Sequence, residues 1–498
     1  MDDYDAQSLA HDLPVGHNEH SGHQVSRRTL LKLGALGLTA STLAILEANS
    51  WIPQRLAYAA PASLPDIQFD ISNYLPPAQT INGVLFRFGP VHTVFLTASL
   101  KRAPTKTDQQ NLANALNTIE ATYPFSPSGV FTFISYGLPY FNRLPSSLVS
   151  AHMPRLLSDN TRFALEEAVP GPTDVSPQNP NITKQTFNVP VVIESNAVLF
   201  TIRSDSLANV QSVAAWLQGS NTLNGQSVPS PKFKTLFKFT SSRLMFLQKG
   251  LPHTVAKNNA LSYTGFINPQ SPMWLGFADQ QIDGSGPATI TTFQGNSSAR
   301  FTSAKSGDYF FDGSIQHLSH IILDLNQFYS TTEPYVERCQ YMFRSNPVPS
   351  MGNSNQFSKG GGPAYLDNTF QGVNDAQANA QGNNTLQNEH RLGHLTALQR
   401  SSRASDGTPV HIRMDGPGFD AMDVPGGSQQ PKLQFTIFVP TADFFATMRI
   451  NQASLDLAQQ YNVPDNHNGI ERFLTATRRQ NFLVPPRSHR AFPLLELT

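Results

Sequence analysis

The chain has 498 residues with 35 basic and 35 acidic side chains, and charged residues make up 14% of it. That balance leaves no basic face for nucleic acid and no acidic tail. A single cysteine, Cys339, excludes an intramolecular disulfide and reads as a buried apolar residue, while 33 phenylalanines and 39% hydrophobic residues can build a substantial core.

Ser26-Arg27-Arg28-Thr29-Leu30-Leu31-Lys32 is a twin-arginine motif that opens a moderately apolar run ending at Leu46. Ala57-Tyr58-Ala59-Ala60 follows and offers cleavage sites. Residues 1–60 therefore read as an export segment, too short and too rich in Gly and Thr for a permanent membrane helix, with a retained anchor as the alternative. The motif implies the twin-arginine export machinery as a partner and a periplasmic, extracellular or cell-surface destination. His11, His17, His20 and His23 fall in the removed part. About 440 residues remain, enough for one large domain or two ordinary ones. Thirty-seven prolines and many Asn, Ser and Gly indicate long loops.

Gly83 to Leu100 reads as strand, with the β-rich runs Val84–Phe88 and Thr93–Thr97. A helix follows from Thr107, where Asp108, Leu112, Ala115, Leu116 and Ile119 keep a period near 3.6. Gly129–Gly137 is the next strand, 169–185 a loop rich in Pro and Asn, and 188–194 with 197–202 a hairpin-like pair. The helix Ser206–Leu217 carries Leu207, Val210, Val213 and Leu217 on one stripe. Further on, Ser314–Asp324 reads as strand and Leu325–Tyr341 as helical stretches, before a polar, Gly/Asn/Gln-rich excursion at 347–389. Leu433–Pro440 is an apolar strand, and a helix runs from Thr441 through Leu457. Strands and helices alternate without a Gly-rich phosphate loop, which disfavours a dinucleotide fold. The pattern fits an α+β chain of two halves with antiparallel sheets, 61–270 and 271–498.

Three stretches carry candidate chemistry. Trp274-Leu275-Gly276-Phe277-Ala278-Asp279-Gln280 holds a carboxylate after Gly-Phe in a tight apolar turn, where it can shuttle a proton. Gly393-His394-Leu395 offers a neutral imidazole, and Val410-His411-Ile412-Arg413-Met414-Asp415 puts a guanidinium on a strand. His390 and His394, with Glu389 beside them, would make a non-haem metal pair if that segment were helical, which Gly393 argues against. His317 and His320 lie three apart on a strand and face opposite ways.

Together these pieces resemble the dye-decolourising peroxidases, haem proteins of the dimeric α+β barrel superfamily. Gly276-Phe277-Ala278-Asp279 matches their Gly-Phe-x-Asp-Gly signature, with Gln280 in place of the closing glycine. Gly393-His394-Leu395-Thr396 resembles their proximal histidine segment, and His411-Ile412-Arg413, about twenty residues later, their distal arginine segment. Asp415 stands where that family often has asparagine. The strand 433–440 with its helix, the closing stretch 473–485, and the strands and helix at 188–217 match in order, so the resemblance spans 80–498 with large insertions.

The resemblance implies two ferredoxin-like halves, the second carrying haem b, and leaves room for a homo-oligomer. His394 would be the iron ligand, and Phe277, Arg413 and Asp415 would adjoin the cofactor. Asp279 would move a proton and Arg413 would stabilise charge as hydrogen peroxide is cleaved, the oxidising power passing to an unknown bulky donor. The acid that orients the proximal imidazole in that family would fall near Glu471 or Arg472. Trp274 is a relay candidate, weighed against plain core packing, and Arg400 and Arg403 are solvated or face the haem propionates. The rival reading is a degenerate peroxidase fold acting as a non-catalytic haem-binding or structural protein.

Overall fold

The computed structural model describes residues 64–77, 79–81, 84–86, 89–166, 168–176, 182, 184–269, 271–276, 286–330, 335–342, 389–394, 400–401 and 408–498. The expected export segment, the turn Phe277–Gln280, Arg403 and the excursion 347–388 lie outside these residues, as does the side chain of Cys339. No helix among the described residues is long and apolar enough to cross a membrane.

The first half is built from β1 (His92–Leu100), helix α1 (Lys106–Thr122), β2 (Phe131–Tyr136), β3 (Val198–Ser204), helix α2 (Leu207–Leu217) and β4 (Phe237–Phe246). Helix α1 starts where Thr105 accepts from the Asp108 amide while the Asp108 carboxylate accepts from the Thr105 amide, a reciprocal cap. Its buried residues are the periodic set, Asp108, Leu112, Ala115, Leu116 and Ile119. Ser206 caps α2 through the Asn209 amide, and Leu207, Val210, Val213 and Leu217 are buried.

The second half repeats the grammar with β5 (Ser314–Leu323), helix α3 (Tyr335–Met342), β6 (Ile412–Arg413), β7 (Gly416–Asp420), β8 (Gln430–Val439), helices α4 (Ala442–Ala453) and α5 (Leu455–Gln460), and β9 (Leu474–Val484). All main pairings are antiparallel, in the order β6-β8-β5-β9-β2-β3-β1-β4, with β7 also on β8. Numbering the four strand positions of each half in chain order, both halves run 4-1-3-2, with β6 and β7 sharing position two of the second. The halves join where Leu483 of β9 pairs with Tyr136 of β2. The outermost strands then approach each other: a Cβ on Gly418 of β7 would stand 3.0 Å from the Leu244 carbonyl of β4, and one on Gly416 3.3 Å from that of Phe246. Glycine is what lets these two strands close up.

Three expectations are corrected. The stretch 83–100 is not one strand, because Val84–Phe86 pairs with Gln79–Ile81 in a separate small sheet. Residues 188–202 form no hairpin: Val192–Ile193 pairs in parallel with Arg478–Arg479 of β9, while β3 sits between β1 and β2. The helix drawn from Thr441 to Leu457 breaks at Ser454, whose φ of 48° is left-handed. Finally, residues 487–498 fold back over the first half. Arg487 and Arg490 pair with Glu120, and Lys106 Nζ donates to the Thr498 carbonyl at 2.7 Å. The hydroxyls of Tyr136 and Tyr140 donate to the carbonyls of Arg490 and Pro493.

Candidate functional site

In the second half α4 meets the sheet at Phe445, which stacks on His317 of β5, and a cavity of about 130 Å³ lies beside that contact, between α4 and strands β5 and β8. Its walls are mostly apolar, with Leu275, Ile321, Leu323, Leu433, Phe435 and Met448 among them, and His394, Arg413, Asp415, Arg449, Gln452 and Arg479 reach it as well. That character, apolar walls with a few polar groups, suits an organic ligand.

His394 is positioned by its backbone neighbours. The Leu392 amide donates to the His467 carbonyl at 3.0 Å and the Gly469 amide to the Leu392 carbonyl at 2.7 Å. Leu392 is fully buried against Leu457 and Val463. Gly469, which packs against the His394 backbone, takes a left-handed φ of +54° that favours glycine. The imidazole Nδ1 lies 3.0 Å from the Gln452 side-chain amide. The expected acid is elsewhere: Glu471 accepts from Thr173 Oγ1 at 2.5 Å, and Arg472 donates to the Tyr341 hydroxyl at 3.3 Å. A side-chain amide, through Gln452 Nε2, is thus one partner of the His394 imidazole.

Arg413 sits on β6 opposite Ile437 of β8, and the Met414 amide donates to the Thr436 carbonyl at 2.9 Å. Arg413 and Asp415 are two apart on extended chain, so they share a face. Arg413 Nε stands 3.4 Å from Asp415 Oδ1, with side chains 13% and 11% exposed. Trp274 is buried, donates from Nε1 to the Gly418 carbonyl at 3.0 Å and accepts from the Tyr329 hydroxyl. Gly276 has φ +82° and a Cβ there would meet the Tyr329 hydroxyl at 2.9 Å, so the turn leading to Asp279 needs glycine. Phe277 and Asp279 themselves lie outside the described residues.

Several residues at the cavity carry no sequence motif. Phe445, Met448, Arg449 and Gln452 make one i, i+3, i+4, i+7 stripe along α4. Arg479, with its side chain 0% exposed, donates from Nε and Nη2 to both oxygens of Asp174 at 2.7 and 2.8 Å and from Nη1 to Ser319 Oγ. Burial alone would raise the Asp174 pKa, but the charges of Arg479 and Arg449, with hydrogen bonds from Arg479 and the Gly171 amide, overturn that and bring it to about 2. His317 stacks on Phe445 with ring centroids 3.4 Å apart and bonds Asn481 and Ser319. Burial, then the Arg479 charge, hold its pKa well below the ordinary value, so this imidazole stays neutral.

His320 points the other way, to Thr477 and Asp420. The paired reading of His390 with His394 is corrected: His390 is exposed and its Nδ1 bonds the Tyr461 carbonyl at 2.6 Å. Among the described residues no three His, Cys, Asp or Glu side chains come together as metal ligands. Arg400 is committed to Asp456 and Ser454.

Several solved structures are similar to this chain at low identity. A dye-decolorizing peroxidase from Bacteroides thetaiotaomicron is 12% identical with a TM-score of 0.44, covering 82% of this chain and 95% of its own. DtpA from Streptomyces lividans, solved as an oxyferrous complex, is 12% identical with a TM-score of 0.47, covering 85% and 96%. A DypB variant from Rhodococcus jostii in complex with haem is 12% identical with a TM-score of 0.43, covering 84% and 96%. No curated protein matches the chain. One sequence family does match, over residues 90–169 and 164–486, and the chain belongs to it: the family of unknown function DUF7405.

Proposed function

We propose that the chain is an exported haem peroxidase of the dye-decolourising type, built of two ferredoxin-like halves divided near residue 270, which uses hydrogen peroxide to oxidise a bulky donor. The observation that carries the reading is that His394 and Arg413, the two residues assigned by resemblance to opposite faces of a haem, line one apolar cavity. The donor set suits that cofactor: one imidazole for iron, apolar walls for a macrocycle, and guanidinium groups for its carboxylates. Haem bound there would supply the iron at which the peroxide O–O bond is cleaved.

The residues of the chain do the rest. Gln452 selects the tautomer of His394: with the amide carbonyl turned to Nδ1–H, the Nε2 lone pair is free to ligate, and with the amide NH2 turned to Nδ1, Nε2 keeps its proton. Arg413 offers a fixed positive charge beside the apolar wall, where water is scarce and the charge acts strongly. Asp279, on the turn begun by Gly276, would carry a proton between the two peroxide oxygens.

A second reading is favoured by one contact. The Arg413–Asp415 pair, both nearly buried, offsets the cation and adds a negative charge that repels a peroxide anion. That is what a degenerate, non-catalytic haem-binding protein of this fold would carry.

Protein purified after haem-supplemented expression should show a Soret band that is lost in His394→Ala. Peroxide-dependent dye oxidation should exceed that of free haem and fall about 10²–10³-fold in Arg413→Leu, and also in Asp279→Ala. A Soret band absent from the wild type, or unchanged in His394→Ala, removes the ligand assignment. Bound haem no more active than free haem selects the second reading.

A further inference from the structure

Three cations meet two carboxylates where β9 faces α4: Arg449, Arg479 and Lys184 against Asp174 and Glu471. Two of the cations have hydrogen-bonded partners within the cluster. Arg479 grips both oxygens of Asp174, and Lys184 Nζ donates to the Glu471 carbonyl at 2.7 Å. Arg449 is different. Its Nη2 stands 3.6 Å from Asp174 and 3.9 Å from Glu471, distances too long for hydrogen bonds. Its Nε is buried against Gly171 with no hydrogen-bond acceptor among the described residues, which leaves the outer edge of the guanidinium, Nη1, as the part that can meet a ligand. The side chain is only 12% exposed, yet it lines the cavity that His394 and Gln452 also reach.

A guanidinium keeps its proton and has five N–H donors, so leaving them unmatched in a partly dry site is unfavourable. The cluster also holds one positive charge more than its carboxylates offset. Arg413, which also lines this cavity, already has Asp415. We propose that Arg449 docks a carboxylate carried by the ligand of this cavity, which is therefore an amphiphile with an apolar body and an acidic edge. Gln452 lies one turn further along α4, so the acid-binding group and the partner of the His394 imidazole project from one helix face. The inference rests on the haem reading, in which that carboxylate is a propionate.

The test titrates ferric protoporphyrin IX and its dimethyl ester into the full chain, following Soret absorbance for wild type, Arg449→Leu and Arg449→Lys. Wild type should bind the diacid about 10- to 100-fold more tightly than the ester, the range of a charge-assisted hydrogen bond. Arg449→Leu should bind both porphyrins at the affinity of the ester, and Arg449→Lys should keep only part of the preference. If Arg449→Leu fails to fold, the reduced preference of Arg449→Lys decides. Equal binding of the two porphyrins by wild type, or a preference that survives Arg449→Leu undiminished, overturns the role of Arg449 while leaving the haem reading intact. Binding of neither porphyrin overturns both.

Discussion

The two halves share a strand order but fill the space under their helices differently. In the first half, α1 and α2 press Leu112, Leu116, Ile119, Val210, Val213 and Leu217 into an apolar core that continues into the second half as far as Phe445 and Met448. In the second, α4 turns Arg449 and Gln452 toward the sheet beside Phe445 and Met448, and a cavity stands between. A packed layer is stabilised by apolar burial. A hollow one must hold its buried cations with carboxylates, and Arg479 with Asp174 does this. One topology thus serves as a solid in one copy and as a container in the other.

Removing the carboxylate tests the hollow half hardest. Asp174→Ala strands the fully buried Arg479 and should destabilise the protein by about 3–5 kcal/mol in urea unfolding; a loss below 1 kcal/mol would mean ion pairs do not hold this layer. The matching cut in the solid half, Leu116→Ala, should cost about 3 kcal/mol through the cavity it leaves, while porphyrin affinity of the folded fraction stays unchanged. A shift in that affinity would show the halves to be coupled. Acid separates the two kinds of layer next. The Asp174 pKa is about 2 when folded, below its unfolded value, so its contribution is present above pH 4 and disappears as pH falls toward 2. The stability gap between wild type and Asp174→Asn should accordingly narrow by about 2 kcal/mol over that window. The smallest effect is at the mouth of the solid half, where Thr105→Ala removes the α1 cap and should cost about 1 kcal/mol in thermal unfolding.

The solid half was the legible one, for a physical reason. Periodicity and capping are local, so Leu112, Ala115, Leu116 and Ile119 could be assigned to a buried face from spacing alone. Val192–Ile193 could not be placed, because its partner, Arg478–Arg479, lies at the far end of the sequence and nothing between them announces the pairing. Ser454 breaks a helical pattern in the left-handed region, where serine carries little signal. Around the candidate site, His394 and Arg413 were found through short motifs. Gln452, Arg449, Arg479 and Asp174 have none, since their roles depend on which face of a helix or loop meets the cavity. One signal was available: Arg449 and Gln452 sit on the same helical stripe as Phe445 and Met448, and polar residues on an apolar stripe point to a hollow core.

The segment 487–498 lies across α1, and Arg490 reaches Glu120 over 370 residues of intervening chain. A contact of such sequence separation forms late, because all the chain between must be ordered before it is rewarded. The flank of α1 beside Glu120 and Gln109 is therefore among the last surfaces to be covered as the chain folds.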